Sequence, residues 1–404
     1  MFSARMVVGS IALSLGGAAF AQGVDAQRIR IGEAELYPSL RIEYVSDDNI
    51  ARFDDQPVEG DAVVVRPVLN FRADRRQIRF GIDYVGAYSN GSEPALDWAD
   101  HLLDANVNAR LGVRRLVQAN VFLARRHEAP GQNVTRGRRD LVDTPVEYND
   151  IGVRAAFTFG AALARGNVSA GLRYDNRRFT NLDQVTDGLD YTSVEPFARF
   201  GYRLGGTTRL FTELSFRDVA YDAEQRDFSG PALSGGLLFA ATGALEGELR
   251  IGVRDIDFAS PDAEDGPELV LFGGVDYSPS TLTTLSLDLQ REIDNATSFA
   301  GAGTSFEAIN TEARLTWERD WSARFSTSTF GAVELQERDC PSSTDTITRV
   351  GLEGQVSVRR WLQVGANVLL SSRTADPCSG QGDADTESEE FDRQVVGAFV
   401  TVTL

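Results

Sequence analysis

Lysine is missing from this chain of 404 residues, so its 40 basic side chains are all arginine. Every positive group is therefore a planar fork that stays charged and suits bidentate pairing with carboxylates. Acid outnumbers base, with 59 aspartates and glutamates and a formal net charge of −19, which argues against a basic nucleic-acid-binding surface. Beyond the N-terminus the chain also lacks any run of about 18 apolar residues, the length a membrane helix needs. The nearest approach, 229–245, is uncharged but broken by Pro231 and four glycines. It reads as the end of a loop, a strand and a turn.

Residues that carry chemistry are scarce. His101 and His127 are the only histidines; both fall in or beside polar connections and neither sits in a nucleophile motif. No G-x-S-x-G elbow is present, and the chain reads as a non-enzyme without cofactor or bound metal. Acidic runs stand out more: Asp47-Asp48-Asn49 with Asp54-Asp55, then Asp262, Glu264, Asp265 and Glu268, then Asp383, Asp385, Glu387, Glu389 and Glu390. None has the ligand spacing of a calcium loop, so a solvated acidic rim is the expectation.

What the chain does have begins with a secretory leader. Arg5 gives the positive start, Val7 to Phe20 the apolar stretch, and Ala19-Phe20-Ala21 a small-residue cleavage site. Residues 1–21 are thus expected to be a signal peptide, 22–34 a periplasmic N-terminal segment and 35–404 the folded unit. In an exported chain Cys340 and Cys378 are expected to form a disulfide.

Residues 346–373 show the nature of that unit. Val350, Leu352, Gly354, Val356 and Val358 share one parity, and Arg349, Glu353, Gln355, Ser357 and Arg359 the other. After Arg360-Trp361 the pattern restarts, with Leu362, Val364, Ala366, Val368 and Leu370 against Gln363, Asn367, Ser371 and Arg373. Period-two alternation means strands. The polar parity carries full charges, and the pattern repeats along nearly the whole chain. A closed antiparallel transmembrane β-barrel explains this best, with lipid outside and water inside.

Strands are predicted at 35–45, 62–72, 77–89, 98–111, 116–125, 146–160, 167–178, 189–203, 209–221, 232–241, 245–258, 268–278, 282–292, 306–318, 323–337, 346–359, 361–373 and 392–404. That is about eighteen, an even count as bacterial single-chain barrels require. Short turns follow the even strands, near 73–75, 114–115, 163–165, 205–206, 242–244, 279–280, 320–321 and 360. Long polar connections follow odd ones, including 46–61, 126–145, 179–188, 259–267, 293–305, 338–345 and 374–391. Short periplasmic turns and longer acidic external loops give this alternation, and it puts both termini on the periplasmic side of a Gram-negative outer membrane. Trp317, Trp321, Trp361 and Tyr202 fall near the short turns, as in an interfacial aromatic girdle. The first strand, Leu36 to Tyr44, is expected to pair with the last, Gln394 to Leu404.

The inward parity mixes signs. Arg41, Arg66, Arg79, Arg154, Arg173, Arg199, Arg250, Arg314, Arg349 and Arg359 share it with Glu43, Asp83, Glu195, Glu213, Glu248, Glu312 and Glu353. These residues are expected to line a hydrated pore, as selectivity groups, as ion pairs bracing the wall, or as both. The parity reads as mostly charged, with no aromatic track for sugars.

Leu36-Tyr37-Pro38-Ser39-Leu40, followed by Tyr44 and Asp47-Asp48-Asn49-Ile50, resembles the opening of a family of outer-membrane β-barrel porins often encoded beside exopolysaccharide genes. The motif covers some fifteen residues, and the length, leader and strand rhythm extend the resemblance loosely over the rest. The resemblance implies a large barrel that passes a secreted polysaccharide, with periplasmic export machinery as a further partner beside outer-membrane lipid and lipopolysaccharide. Two other classes stand beside it. A small-solute diffusion porin fits the charged walls and would usually need an inward-folded constriction loop, for which 126–145 is the long candidate. A structural or adhesive barrel would work through its acidic loops.

Overall fold

The computed structural model describes residues 28–136, 138–161, 164–261, 265–293, 308–338, 343–375 and 390–403. The expected leader and both cysteines lie outside the described residues.

The strands are β1 (Ile29–Ile31), β2 (Ala34–Asp47), β3 (Gly60–Arg75), β4 (Ile78–Gly91), β5 (Trp98–Arg110), β6 (Arg115–Glu128), β7 (Val146–Phe159), β8 (Gly166–Phe179), β9 (Tyr191–Gly205), β10 (Thr208–Tyr221), β11 (Phe228–Thr242), β12 (Leu245–Phe258), β13 (Gly266–Ser280), β14 (Thr283–Ile293), β15 (Ala308–Asp320), β16 (Phe325–Arg338), β17 (Ser343–Arg359), β18 (Leu362–Ala375) and β19 (Phe391–Thr403). From β2 to β19 each strand pairs antiparallel with the next, and β19 returns to pair with β2, Val395 to Thr403 lying opposite Asp47 to Ser39. The result is a closed barrel of eighteen strands with the predicted first-to-last pairing.

The additional strand, β1, was not foreseen. Thr403 ends β19 opposite Ser39, which leaves the start of β2 without a neighbour on that edge. The chain turns back at Gly32 (φ +66°) and lays Ile31 opposite Ala34 and Ile29 opposite Leu36. An uncovered edge presents unpaired N–H and C=O groups, and β1 occupies them.

Long and short connections alternate as the sequence implied. The turn expected at 73–75 lies instead at 76–77, because β3 and β4 keep pairing to Arg75 opposite Ile78. Arg76 then takes a left-handed conformation (φ +23°).

Alternation sets the two faces. The outer parity exposes large apolar side chains, among them Leu214 (57% exposed), Ile251 (58%) and Leu315 (53%). A continuous apolar belt of this kind is untenable in water and natural against lipid tails. Near the short turns Trp317 and Trp321 meet edge to face with ring centroids 6.2 Å apart, and Trp361 and Tyr202 are exposed at the same end. Buried apolar clusters lie instead toward the long-loop end. One joins Val219, Phe228, Ile256 and Phe258, and another joins Val134, Leu141, Val146, Val185 and Leu189.

Leu287 sits midway along β14 on the outer face. Leu287→Arg should cost about 2–4 kcal/mol of stability, the penalty for a cation at the bilayer midplane. Reversible urea unfolding from lipid vesicles measures it; an unchanged midpoint would mean that this face does not meet lipid.

Candidate functional site

The opposite parity points into the barrel, where side chains from non-adjacent strands meet. Arg41 on β2 reaches Glu353 on β17 at 3.0 Å, across the positions of β19 and β18. Glu43 accepts hydrogen bonds from Arg41 (3.1 Å), Arg66 and Asn367. On the other side Glu213 of β10 gathers Arg173 of β8 (2.9 Å), Arg199 of β9 (2.7 Å) and Arg250 of β12 (3.2 Å). Glu195 bridges Arg173 (3.4 Å) and Arg254 (2.8 Å), and Glu248 lies 3.6 Å from Arg199. Arg349 pairs with Glu334 and approaches Glu312 at 3.9 Å. Arg154 lies 3.6 Å from Asp175, and Asp83 pairs with Arg72 at 2.7 Å. Three members of the predicted set stand apart from these networks: Arg314, half-buried against a ring, Arg79, mostly exposed 3.5 Å from Asp74, and Arg359, exposed at the end of β17.

Sequence reasoning missed the aromatic rings that share this parity. Arg41 lies over Phe399 (3.5 Å from guanidinium carbon to ring centroid), Arg314 over Phe330 (4.0 Å), Arg199 over Phe211 (4.1 Å) and Arg173 over Phe197 (4.3 Å). Arg250 over Phe272 and Arg154 over Phe122 are looser, at 5.4 and 5.5 Å. Beneath five of these rings a neighbouring strand carries glycine: Gly365, Gly351, Gly236, Gly171 and Gly152. A Cβ at any of them would collide with the ring. Each ring therefore lies flat in the space a side chain would fill, and a guanidinium stacks on its inner face. The inward parity has aromatic character after all, roofed by arginine.

The acidic run in the first long loop differs from expectation in part: Asp54 and Asp55 are exposed, but Asp47-Asp48-Asn49 is engaged. Asp47 is buried and receives Arg393 at 2.9 Å, Asp48 accepts the Gln394 amide at 2.7 Å, and the Asn49 side chain donates to Phe53 and Asp392 carbonyls. These residues stitch the first loop to the last strand instead of forming a solvated rim. Asp262, Glu264, Asp383, Asp385, Glu387 and Glu389 lie outside the described residues. Among the described residues no group of three His, Cys, Asp or Glu could hold a metal ion. His127 hydrogen-bonds Asp100 at 2.8 Å and stacks on Trp98; His101 meets Tyr84 at 3.0 Å.

The connection between β6 and β7 folds inward across the mouth. Val134 and Thr135 are fully buried, and Arg136 forms a buried ion pair with Asp345 near the start of β17. The shorter way round the ring from β6 to β17 passes β5, β4, β3, β2, β19 and β18, so the loop bridges to the far wall. Arg373 of β18 donates to the Gly131 carbonyl at 3.3 Å. The first loop meets it from the side: Ile50, Ala51, Arg52 and Phe53 are buried, and Arg52 donates to the Pro130 carbonyl at 2.6 Å. Gly131 takes φ +71°, and a Cβ there would strike the Ala51 carbonyl.

A sequence model of the family described as “Putative beta-barrel porin 2” matches residues 22–402. No curated protein matches the chain. Among solved structures, Pseudomonas aeruginosa OccK2 (OpdF) in complex with glucuronate aligns over 92% of this chain and 98% of its own, at 13% identity and a TM-score of 0.46. The outer membrane protein opdK of the same organism aligns over 92% and 99%, at 12% identity and 0.45. The FrpB iron transporter from Neisseria meningitidis aligns over 87% of this chain and 65% of its own, at 9% identity and 0.43.

Glu213 is the acceptor shared by three guanidinium groups and is almost fully buried. Glu213→Ala should lower unfolding stability on the order of 3 kcal/mol, as for removing one member of a buried pair. Arg79→Ala, at an exposed pair, should change it by less than about 0.5 kcal/mol. Equal effects in the same urea titration would show that the network does not brace the wall.

Proposed function

Because the chain belongs to the family described as “Putative beta-barrel porin 2”, it is an outer-membrane β-barrel, and we propose that it works as a diffusion porin for small solutes whose bore is set by residues 129–136. The observation that carries this reading is the bridge from that loop to Asp345 and Arg373 on the far wall. A strand-lined lumen of this size would be open to a polymer; a segment held across its mouth limits passage to what fits beside it. In this reading both termini face the periplasm, lipid and lipopolysaccharide surround the barrel, and the charged wall at Arg41, Glu43, Arg173, Glu213, Arg349 and Glu353 lines the path.

Export of an exopolysaccharide, the use that the first-strand motif implies by resemblance, would require the same loop to swing out. The two uses therefore separate on one experiment. Reconstituted in planar bilayers, the protein should give small, steady conductance steps. Asp345→Ala frees the far anchor of the loop and should give larger, noisier steps. In cells, deletion of the gene should slow uptake of small polar solutes while leaving surface polymer unchanged. Loss of surface polymer with normal solute uptake would replace this reading by the secretion pore.

A further inference from the structure

Among the described residues of the inward-folded loops, Arg52 is a cation that the wall networks do not pair. Arg52 is 5% exposed and sits in the first loop, where its guanidinium donates to the carbonyl oxygens of Pro130 (2.6 Å) and Ile50 (3.4 Å). Among the described residues no carboxylate lies within ion-pair distance of it. The carboxylate whose charge reaches it, Asp47, is already paired with Arg393.

Its backbone is unusual as well. Arg52 adopts φ +57°, a left-handed conformation that side-chain-bearing residues seldom take. Such a conformation is strained and persists only where the surroundings fix it, as they often do at ligand clamps and functional sites. Here the bond to Pro130 and the packing of Ala51 against Gly131 supply that fixing. Burial, reinforced by the like charges of Arg393, Arg373 and Arg349 and opposed by the Asp47 carboxylate, holds the guanidinium below its ordinary range. An arginine nonetheless stays protonated in practice, so the positive charge remains.

We propose that the constriction built from residues 48–53 and 129–136 favours anions, and that Arg52 is the residue that sets the preference. This deepens the diffusion-porin reading and rests on it. A buried charge near a narrow passage acts through low dielectric and is only weakly screened by salt. An anion passing beside these loops would meet the field of a cation with no carboxylate in ion-pair contact, whereas the Glu213 and Glu43 networks present nearly matched signs. The preference would oppose the net charge of −19.

The test is the reversal potential of single channels in a potassium chloride gradient. Wild-type channels should reverse toward the chloride potential. Arg52→Gly removes the charge and suits the left-handed backbone, so its channels should still insert and conduct, with a chloride-to-potassium permeability ratio lower by on the order of tenfold. Arg52→Lys keeps the charge and should keep the preference. Conducting wild-type channels that prefer potassium would overturn the proposal, as would an unchanged ratio in Arg52→Gly. Wild-type protein that inserts but never conducts would instead overturn the diffusion-porin reading, and this proposal with it.

Discussion

A chain that crosses lipid on extended strands must pair every backbone N–H and C=O, because the hydrocarbon offers them no partner. One strand cannot do this and neither can an open sheet, whose two edges stay bare. The ring from β2 to β19 satisfies the requirement everywhere along the wall, and β1 extends it to the stretch of β2 that β19 does not reach. Closure then dictates the rest. Once the wall is a ring, one parity must be apolar to meet lipid and the other polar to meet water. Strict alternation in the sequence follows from that geometry.

The inner face shows how charge can be placed at high density without destabilising the wall. Arginine supplies every cation, and its flat fork can serve two carboxylates while its face rests on a phenyl ring. Arg41 and Arg173 both do this, each paired twice and each over a phenylalanine. Lysine, a compact point charge on a flexible stem, could not make the same layered contact. The glycines beneath the rings complete the arrangement. They have no side chain, so the aromatic plane drops to the level of the backbone and the guanidinium stays low against the wall.

Strand number, sidedness and the short–long rhythm were legible because each depends on residues close in sequence: two-residue alternation, turn chemistry, and the spacing of apolar runs. The inward phenylalanines were legible in part. Phe197 stands at the same parity as Glu195 and Arg199, and a Phe between two charges on a water-facing parity is a visible signal. Its explanation sits on a different strand, at Gly171, which no local pattern links to it. The inward-folded loop was marked only by its length. Its anchors, Asp345 and Arg373, lie more than two hundred residues away and become neighbours only when the ring closes. Arg52 was hidden for the same reason, since its partner is a backbone carbonyl that leaves no mark on sequence.

All but one of the ladders between barrel strands join neighbours in the chain, across a turn or loop. The ladder of β19 with β2 is different: it unites residues near 40 with residues near 400. Loop-closure entropy must be met there before the pairing yields anything, and contacts of such long sequence separation slow folding most. The seam is thus the natural last event of assembly and the natural first point of opening. A nascent barrel waiting at that stage would hold two unsatisfied strand edges in or beside the membrane. The interlock of Asp47 with Arg393 and of Asp48 with Gln394, at one end of that ladder, would hold the two edges together once they have met.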